Sequence, residues 1–352
     1  MAPEQLSTTT GVNFRKRLLT WFDAHKRDLP WRRSSDPYKI WVSEIMLQQT
    51  RVAAVLDHYA EFLRRFPNVD ALANASEPDV LAVWSGLGYY RRARMLHSGA
   101  KAVVNDHAGM LPRTSVELRS LAGIGEYTSA AIASIAFGEP VAAVDGNVER
   151  VLTRIEGLAA DGPASEAPLR AAIRKAADHF LDRARPGDFN QAMMELGATI
   201  CLPRNPLCLQ CPVSAQCVTR GEHAALRRKP MVSQNAAFAL SLRSQRSQGT
   251  QVLLSQRSAA STVMPGMWEL PKISEEEFDS KGAELSLRHA IMQTNYVVHV
   301  HALDPAVLST FRAAGDEDRW VNLDALSSLP LTGLARKVLR RVGLLTGKIS
   351  QP

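Results

Sequence analysis

Two carboxylates and four thiols carry most of the chemistry legible in this chain. Glu44 lies in Trp41-Val-Ser-Glu-Ile-Met-Leu-Gln-Gln-Thr50, a stretch otherwise mostly apolar. A lone glutamate is ordinarily solvated. Burial among Trp41, Ile45 and Leu47 would instead raise its pKa and leave it protonated, able to act as an acid. Asp145 lies in Val144-Asp-Gly-Asn-Val148, where it reads as the N-cap of a helix. Capping does not compete with function, because a carboxylate held by helix N–H groups is what an electrostatic partner for a developing cation needs. The four cysteines are Cys201, Cys208, Cys211 and Cys217, separated by six, two and five residues. Such clustering points to metal rather than to disulfides in a cytoplasmic chain. Four thiolates can close a tetrahedral zinc site or hold a 4Fe–4S cluster. Only Cys208 and Cys211 form the Cys-x-x-Cys pair that zinc ribbons carry twice.

These groups need a scaffold, and residues 12–224 read as mostly helical. Trp41, Ile45, Val52, Val55, Tyr59, Phe62 and Leu63 recur at helical spacing between Ile40 and Phe66. Thr114 and Glu117 make a capping box that opens a short helix ending near Leu121. Gly123-Ile124-Gly125 forces a tight turn, and a helix rich in small residues runs from Glu126 to Phe137, stopped by Gly138 and Pro140. Further helices are predicted over Val148–Ile155, Pro168–Leu181 and Phe189–Thr199. Past Cys217 the texture changes. Ala224 to Asn235 reads as a basic linker. Short β-type runs follow at Phe238–Leu242, Val252–Leu254, Tyr296–His301 and Arg319–Val321, with helical patterns at Ser274–Phe278 and Leu334–Leu344. The fold class expected is a mainly α N-terminal region over 1–225, a linker over 226–235 and an α+β domain over 236–352.

The chain has 352 residues, 45% of them hydrophobic, which suits two globular domains. No apolar run approaches a membrane span, and the polar Met1–Thr10 carries no secretory core, so a cytoplasmic protein is expected. The formal charge of +7 fits a polyanionic partner. Basic clusters occur at Arg64–Arg65, at Arg91, Arg92 and Arg94, and at Arg227, Arg228 and Lys229; each taken singly reads as a solvated helix face. The Gly123-Ile124-Gly125 turn between two helices can present backbone N–H groups and a helix dipole to a phosphate, which gives affinity without reading sequence.

Several segments, in order, resemble the MutY-type adenine glycosylases of the endonuclease III superfamily. They are Trp41–Val52, Trp84-Ser-Gly-Leu-Gly-Tyr-Tyr-Arg-Arg-Ala-Arg94, the glycine hairpin, Val144–Val148, Phe189-Asn-Gln-Ala-Met-Met-Glu-Leu-Gly197 and the cysteine loop. The resemblance implies a helix–hairpin–helix DNA glycosylase whose four cysteines ligate 4Fe–4S, with Arg204 of the loop near a phosphate. It implies removal of adenine mispaired with 8-oxoguanine or guanine in double-stranded DNA by a monomeric enzyme. Glu44 would protonate the leaving adenine and Asp145 would stabilise the oxocarbenium-like sugar, following the two-carboxylate logic of glycoside hydrolysis. Tyr127 stands where bifunctional relatives carry a Schiff-base lysine, and Asn147 orders the site beside Asp145. Arg27, Trp31, Arg32, Leu47 and Gln191 match adenine-pocket positions; Gln49, Leu87 and Tyr89 match residues that wedge into the duplex. Gly123 and Gly125 would meet the DNA backbone. The family hairpin usually has proline where this chain has Ala122.

Gln256-Arg257 and Met264-Pro-Gly-Met-Trp-Glu-Leu-Pro271 resemble the Nudix-like C-terminal domain of the same family. No Nudix hydrolase box is present, so pyrophosphate hydrolysis is not expected. The family's Phe-Ser-His lesion loop is missing from Arg288–Tyr296, where His289, Gln293 and Thr294 are the available substitutes. Two alternatives stand beside the leading reading. One is an endonuclease III-like glycosylase and lyase for oxidised pyrimidines, which Tyr127 and the C-terminal domain disfavour. The other is a non-enzymatic iron–sulfur DNA-binding module, which the pairing of Glu44 with Asp145 disfavours.

Overall fold

The computed structural model describes residues 8–158, 166–221, 231–245, 249–276, 278, 282–291, 294–311 and 317–345. Arg227, Arg228, Lys229 and Gln293 lie outside the described residues, as does most of the expected linker. Contacts divide the chain into two compact units: residues 1–49, 68–73 and 98–226, and residues 50–67, 74–97 and 227–352. No helix among the described residues is long and apolar enough to cross a membrane.

The first unit is helical. It contains α1 (Thr8–His25), α2 (Pro37–Leu47), α4 (Val69–Ala73), α7 (Ser115–Leu118), α8 (Glu126–Phe137), α9 (Gly146–Ile155), α10 (Glu166–Phe180) and α11 (Pro186–Thr199). The second contains α3 (Val52–Arg65) and α5 (Glu77–Trp84), and the division between the units passes through α6 (Arg91–Asp106). The apolar periodicity from Ile40 to Phe66 is therefore two helices. It breaks at Gln48–Arg51, where Gln49 takes a left-handed φ of 55°. Thr114 and Glu117 form both halves of the predicted capping box at α7, and α8 keeps its predicted bounds.

One core of the first unit joins Phe14, Leu18 and Phe22 of α1 to Val148, Val151 and Leu152 of α9, with Phe180 of α10 and Phe189 of α11 between them. The buried Ala130 and Ala131 of α8 leave room for close helix approach. Asn190, 2% exposed, ties the inner elements together. Its Oδ1 accepts from the Ala143 amide at 3.0 Å, and its Nδ2 donates to Ser134 Oγ and the Val141 carbonyl, both at 2.9 Å. Asn190 thus fixes the strand of chain that leads into Asp145.

The second unit holds an α+β fold built on two sheets, as the sequence predicts. One has the order β5 (Lys272–Ile273), β1 (Val232–Leu240), β7 (Thr294–Ala302), β6 (Leu285–Ile291); β1 and β7 run parallel and the other pairs antiparallel. The other has β2 (Leu242–Gln245), β3 (Gly249–Gln256) and β4 (Trp268–Glu269), with β8 (Asp318–Asn322) also on β3. Two helices, α12 (Pro305–Phe311) and α13 (Gly333–Arg341), complete it. Three readings are corrected. Val232–Asn235, expected as linker, belong to β1, because the parallel ladder to β7 starts at Val232↔Thr294 and supplies their hydrogen bonds. Ser274–Phe278 forms no helix; Ser274 Oγ accepts from the Glu276 amide, which favours a turn. Arg92 and Arg94 are not a solvated face: the Arg92 guanidinium stacks over Trp84 and Tyr89, and Arg94 bonds Glu77 and the Pro265 carbonyl.

The approach of α11 to α9 is the tightest constraint near Asp145. A Cβ on Gly197 would stand 2.6 Å from Asn147 Cβ and 3.1 Å from its carbonyl oxygen. Relief would require the first turn of α9 to move. Gly197→Ala is therefore expected to lower stability by about 1–3 kcal/mol, measured by chemical denaturation, and to depress any activity that depends on Asp145. Unchanged stability would show that the two helices yield freely.

Candidate active site and cysteine loop

Glu44 lies on the buried face of α2 and is 7% exposed. Its Oε2 accepts a hydrogen bond from the Tyr127 hydroxyl at 2.6 Å, and Met194 Sδ lies 3.1 Å from the same hydroxyl. Tyr127 is in the first turn of α8, so the α2–α8 packing brings the pair together. Gln48 Nε2 bonds Thr128 Oγ1 at 3.2 Å and reinforces that junction. Burial raises the Glu44 pKa to about 7; the Tyr127 hydrogen bond opposes this, the Asp145 charge adds to it, and Arg32 opposes it. The Tyr127 hydroxyl is pushed well above its ordinary value, by burial first and then by the charges of Glu44 and Asp145. It is a neutral donor at any working pH.

Asp145 caps α9 as predicted. Its Oδ1 accepts from the amides of Asn147 at 2.9 Å and Val148 at 2.7 Å, while Asn147 Nδ2 donates to Oδ2 at 3.0 Å. Both carboxylate oxygens are thus held, and Asn147 has the ordering position predicted for it. Arg150, which the sequence reading did not single out, continues the chain of contacts. Its guanidinium donates to Asn147 Oδ1 at 2.9 Å, to the Gly197 carbonyl at 2.7 Å and to the Cys201 carbonyl at 2.9 Å. An arginine one turn into a helix reads as solvated; only the fold shows that four acceptors, the Gly146 carbonyl among them, surround it.

Arg27 and Arg32 are committed to a partner that the sequence pattern does not mark as functional. Glu195, 1% exposed, receives Arg27 Nε and Nη2, both at 2.7 Å, and Arg32 Nη2 at 2.8 Å. Burial pushes the Glu195 carboxyl up, but the hydrogen bonds of Arg27 and Arg32 outweigh it and hold the group at about 2. The sequence signal was a lone acid among the apolar residues Met193, Met194 and Leu196. Trp31 is buried in the turn Pro30–Arg32, Leu47 ends α2, and Gln191 is half-buried on α11. Gln49 is exposed in the first unit. In the second unit Tyr89 is 53% exposed at a φ of 49°, whereas Leu87 is 6% exposed, which leaves the leucine little surface to offer a duplex.

The glycine hairpin is present. Gly123 takes a φ of 79°, the left-handed region that favours glycine. Gly125 precedes α8 with no side-chain cap, and nothing lies within 4 Å of where its Cβ would be. The start of α8 thus has no side-chain cap and carries the positive end of the helix dipole.

All four cysteines line one cavity together with Arg154, Pro206, Val213 and Arg220. No group of three or more His, Cys, Asp or Glu among the described residues is arranged around a single ion; the thiols ring a wider space. Arg154 Nη1 points at Cys201 Sγ at 3.3 Å and the Arg220 amide at Cys217 Sγ at 3.4 Å. Burial, seconded by the three neighbouring thiols against one backbone donor, pushes the Cys211 thiol up to about 11. Four sulfurs lining one cavity, two of them approached by N–H donors, could hold a metal centre.

In the C-terminal domain the Gln256–Pro271 motif is a self-braced loop. Arg257 bonds Glu269 at 2.8 Å and the Val263 carbonyl at 2.8 Å. His289 on β6 is packed near Gly333, and burial and then Lys337 lower its pKa. Thr294 pairs with Ile291 in the β6–β7 ladder.

Residues 42–176 match the family described as HhH-GPD superfamily base excision DNA repair protein. The chain is 48% identical over 237 residues to an adenine DNA glycosylase of Mus musculus, covering 63% of this chain and 46% of that protein. It is 39% identical over 307 residues to an adenine DNA glycosylase of Arabidopsis thaliana, covering 76% and 48%. The chain thus spans about half the length of these curated relatives. Among solved structures, a thermostable thymine-DNA glycosylase superposes with a TM-score of 0.54 at 30% identity, covering 60% of this chain and 97% of the other. With the glycine hairpin, the Glu44–Tyr127 contact and the capped Asp145 in place, these matches show that the chain belongs to the HhH-GPD superfamily of base excision DNA repair proteins.

Proposed function

We propose that the protein is a monofunctional DNA glycosylase that removes adenine mispaired with 8-oxoguanine or guanine in double-stranded DNA. The observation that carries this reading is the buried Glu44 carboxyl, bonded to Tyr127 in the same site as the fixed carboxylate of Asp145. Adenine must leave the stack to reach it. Glu44 then gives its proton to N7 of the base, and the C1′–N9 bond breaks with its electron pair leaving on adenine. The sugar becomes oxocarbenium-like, and the Asp145 carboxylate, oriented by Asn147 and the α9 amides, stabilises that positive charge. Water adds to C1′ and passes its proton to a carboxylate. No amine is available at Tyr127, so the abasic strand stays intact. Glu195 holds Arg27 and Arg32 beside the base pocket. The hairpin glycines hold the DNA backbone. Cys201, Cys208, Cys211 and Cys217 would bind a 4Fe–4S cluster that ties down the loop over 201–217. The α+β domain, read as Nudix-like, would contact the lesion.

The deciding assay is single-turnover base release from duplexes carrying A:8-oxoguanine, A:G, thymine glycol and T:G, the last because one structural relative is a thymine-DNA glycosylase. Release from the adenine duplexes alone is expected, with strand cleavage only after alkali. Glu44→Gln should bind duplex nearly as well as the parent and lose base release by about 100- to 10,000-fold. Because only protonated Glu44 is the acid, the parental rate should fall as pH rises through about 7. A rate independent of pH between 6 and 9 would remove Glu44 from the role.

The same carboxyl affects stability. A folded pKa of about 7, above the ordinary value of 4.5, means the stability its burial permits is present in full below pH 4.5. That stability is lost as pH rises toward 7. Glu44→Gln should therefore melt higher than the parent at pH 8 and level with it at pH 4.5. Equal melting temperatures at both values would show that the acid is solvated.

Purified protein should be yellow-brown with iron and sulfide in near-equal amounts. Cys→Ser changes should reduce folded yield or duplex affinity before intrinsic chemistry, because the loop is organised by the metal. Stoichiometric zinc without iron in carefully handled protein would defeat the cluster assignment.

A further inference from the structure

The second unit contains a groove of about 700 Å³ that the proposed chemistry does not use. Its walls are α3, α5 with the turn after it, Ser327 and Ser328, and α13. Four arginines line it: Arg64 and Arg65 from the end of α3, and Arg336 and Arg340 one turn apart on α13. Three carboxylates share the lining. Two of these are engaged: Glu61 is held by Arg64 at 2.6 and 2.7 Å, and Asp79 Oδ2 accepts the Ser76 hydroxyl at 2.6 Å. Asp57 lies exposed on α3.

The two α13 arginines differ from the rim pair. Arg336 Nε donates to Ser85 Oγ at 2.8 Å, and Ser85 is 5% exposed with its hydroxyl 3.0 Å from the Leu331 carbonyl. That bond fixes the plane of the Arg336 guanidinium. Yet Arg336 Nη2 and Arg340 Nε are buried without a hydrogen-bond partner. A buried donor left unmet is costly, and more so when it is charged. Arg336 and Arg340 lie on successive turns of one helix and both line the groove, where their like charges repel.

We infer that this groove binds a phosphate group, with Arg336 and Arg340 as its direct ligands and Arg64 and Arg65 as the flanking charge. The chemistry follows from the donors. Guanidinium forks match phosphate oxygens in geometry and keep their charge when desolvated. A phosphate between Arg336 and Arg340 would meet the N–H groups that these side chains present to the groove and turn the repulsion between them into shared attraction. Burial disfavours the Arg336 cation, Tyr90 opposes this and the charge of Arg340 adds a smaller push in the same direction as burial; an anion in the groove would favour the cation. The volume exceeds that of a phosphate alone, so the group arrives attached to something. It is either a small phosphorylated molecule or a nucleic-acid strand.

The test uses the full-length protein with its cofactor, purified without phosphate. Inorganic phosphate and pyrophosphate are titrated at ionic strength matched with chloride, and Tm is recorded. The parent is expected to gain about 2–4 °C at saturation. Arg336→Met/Arg340→Met should lose that gain while melting no lower than the parent in chloride. Arg340→Met alone serves if the double variant does not fold. The salt dependence of duplex binding distinguishes the sources. A strand phosphate in the groove would make the slope of log K against log salt shallower by about 0.9 in the variant; a free phosphorylated ligand would leave it unchanged. A Tm gain retained in the variant would put the anion elsewhere. No gain over chloride together with an unchanged duplex slope would mean that water satisfies the two arginines, and the inference fails.

Discussion

The structure depends on keeping one carboxyl out of water. Glu44 is an acid near neutral pH only because α2 and α8 exclude solvent around it, and because Tyr127 gives it a hydrogen bond that does not fully offset its burial. Much of the first unit serves that condition. The small residues of α8 let helices approach closely. Asn190 satisfies the backbone of the segment that follows, so that it can be buried without orphaned amides. Glu195 holds Arg27 and Arg32, and the pull of the Arg32 charge on the Glu44 carboxyl is too small to offset its burial.

Asp145 is treated in the opposite way. Two backbone amides and the Asn147 side chain hold its oxygens at a helix start. Two carboxylates in one site are thereby given different surroundings, one dry and one rich in donors. Arg150 extends the second arrangement to the Cys201 carbonyl, so the geometry of the cysteine loop and that of Asp145 share an anchor.

The second unit shows how arginine is used when packing constrains it. Arg92 lies over Trp84 and Tyr89, Arg257 braces its own loop, and Arg336 is fixed by a buried serine. Their stems fill space while their heads find acceptors, so the basic balance of the chain is partly structural. In the groove beside α13, Arg336 and Arg340 each keep one buried N–H group without a protein acceptor.

Local signals in the sequence determined much of this. The capping box at Thr114, the glycine turn, the bounds of α8, the cap at Asp145 and the grouping of four cysteines each arise within a few residues, where side-chain and backbone chemistry act on their own neighbours. The family resemblance followed from the order of those segments. Tertiary structure decided what local pattern could not. The fate of Glu44 depended on Tyr127, 83 residues away, and that of Arg27 on Glu195, 168 residues away. The strand at Val232 was hidden because its pairing partner is β7, and the turn at Ser274 because one side-chain hydrogen bond outweighed a helical pattern. Whether an ionisable side chain is solvated, paired or left wanting an anion is set by what long-range folding packs against it. A residue's own type and its immediate neighbours do not contain that information.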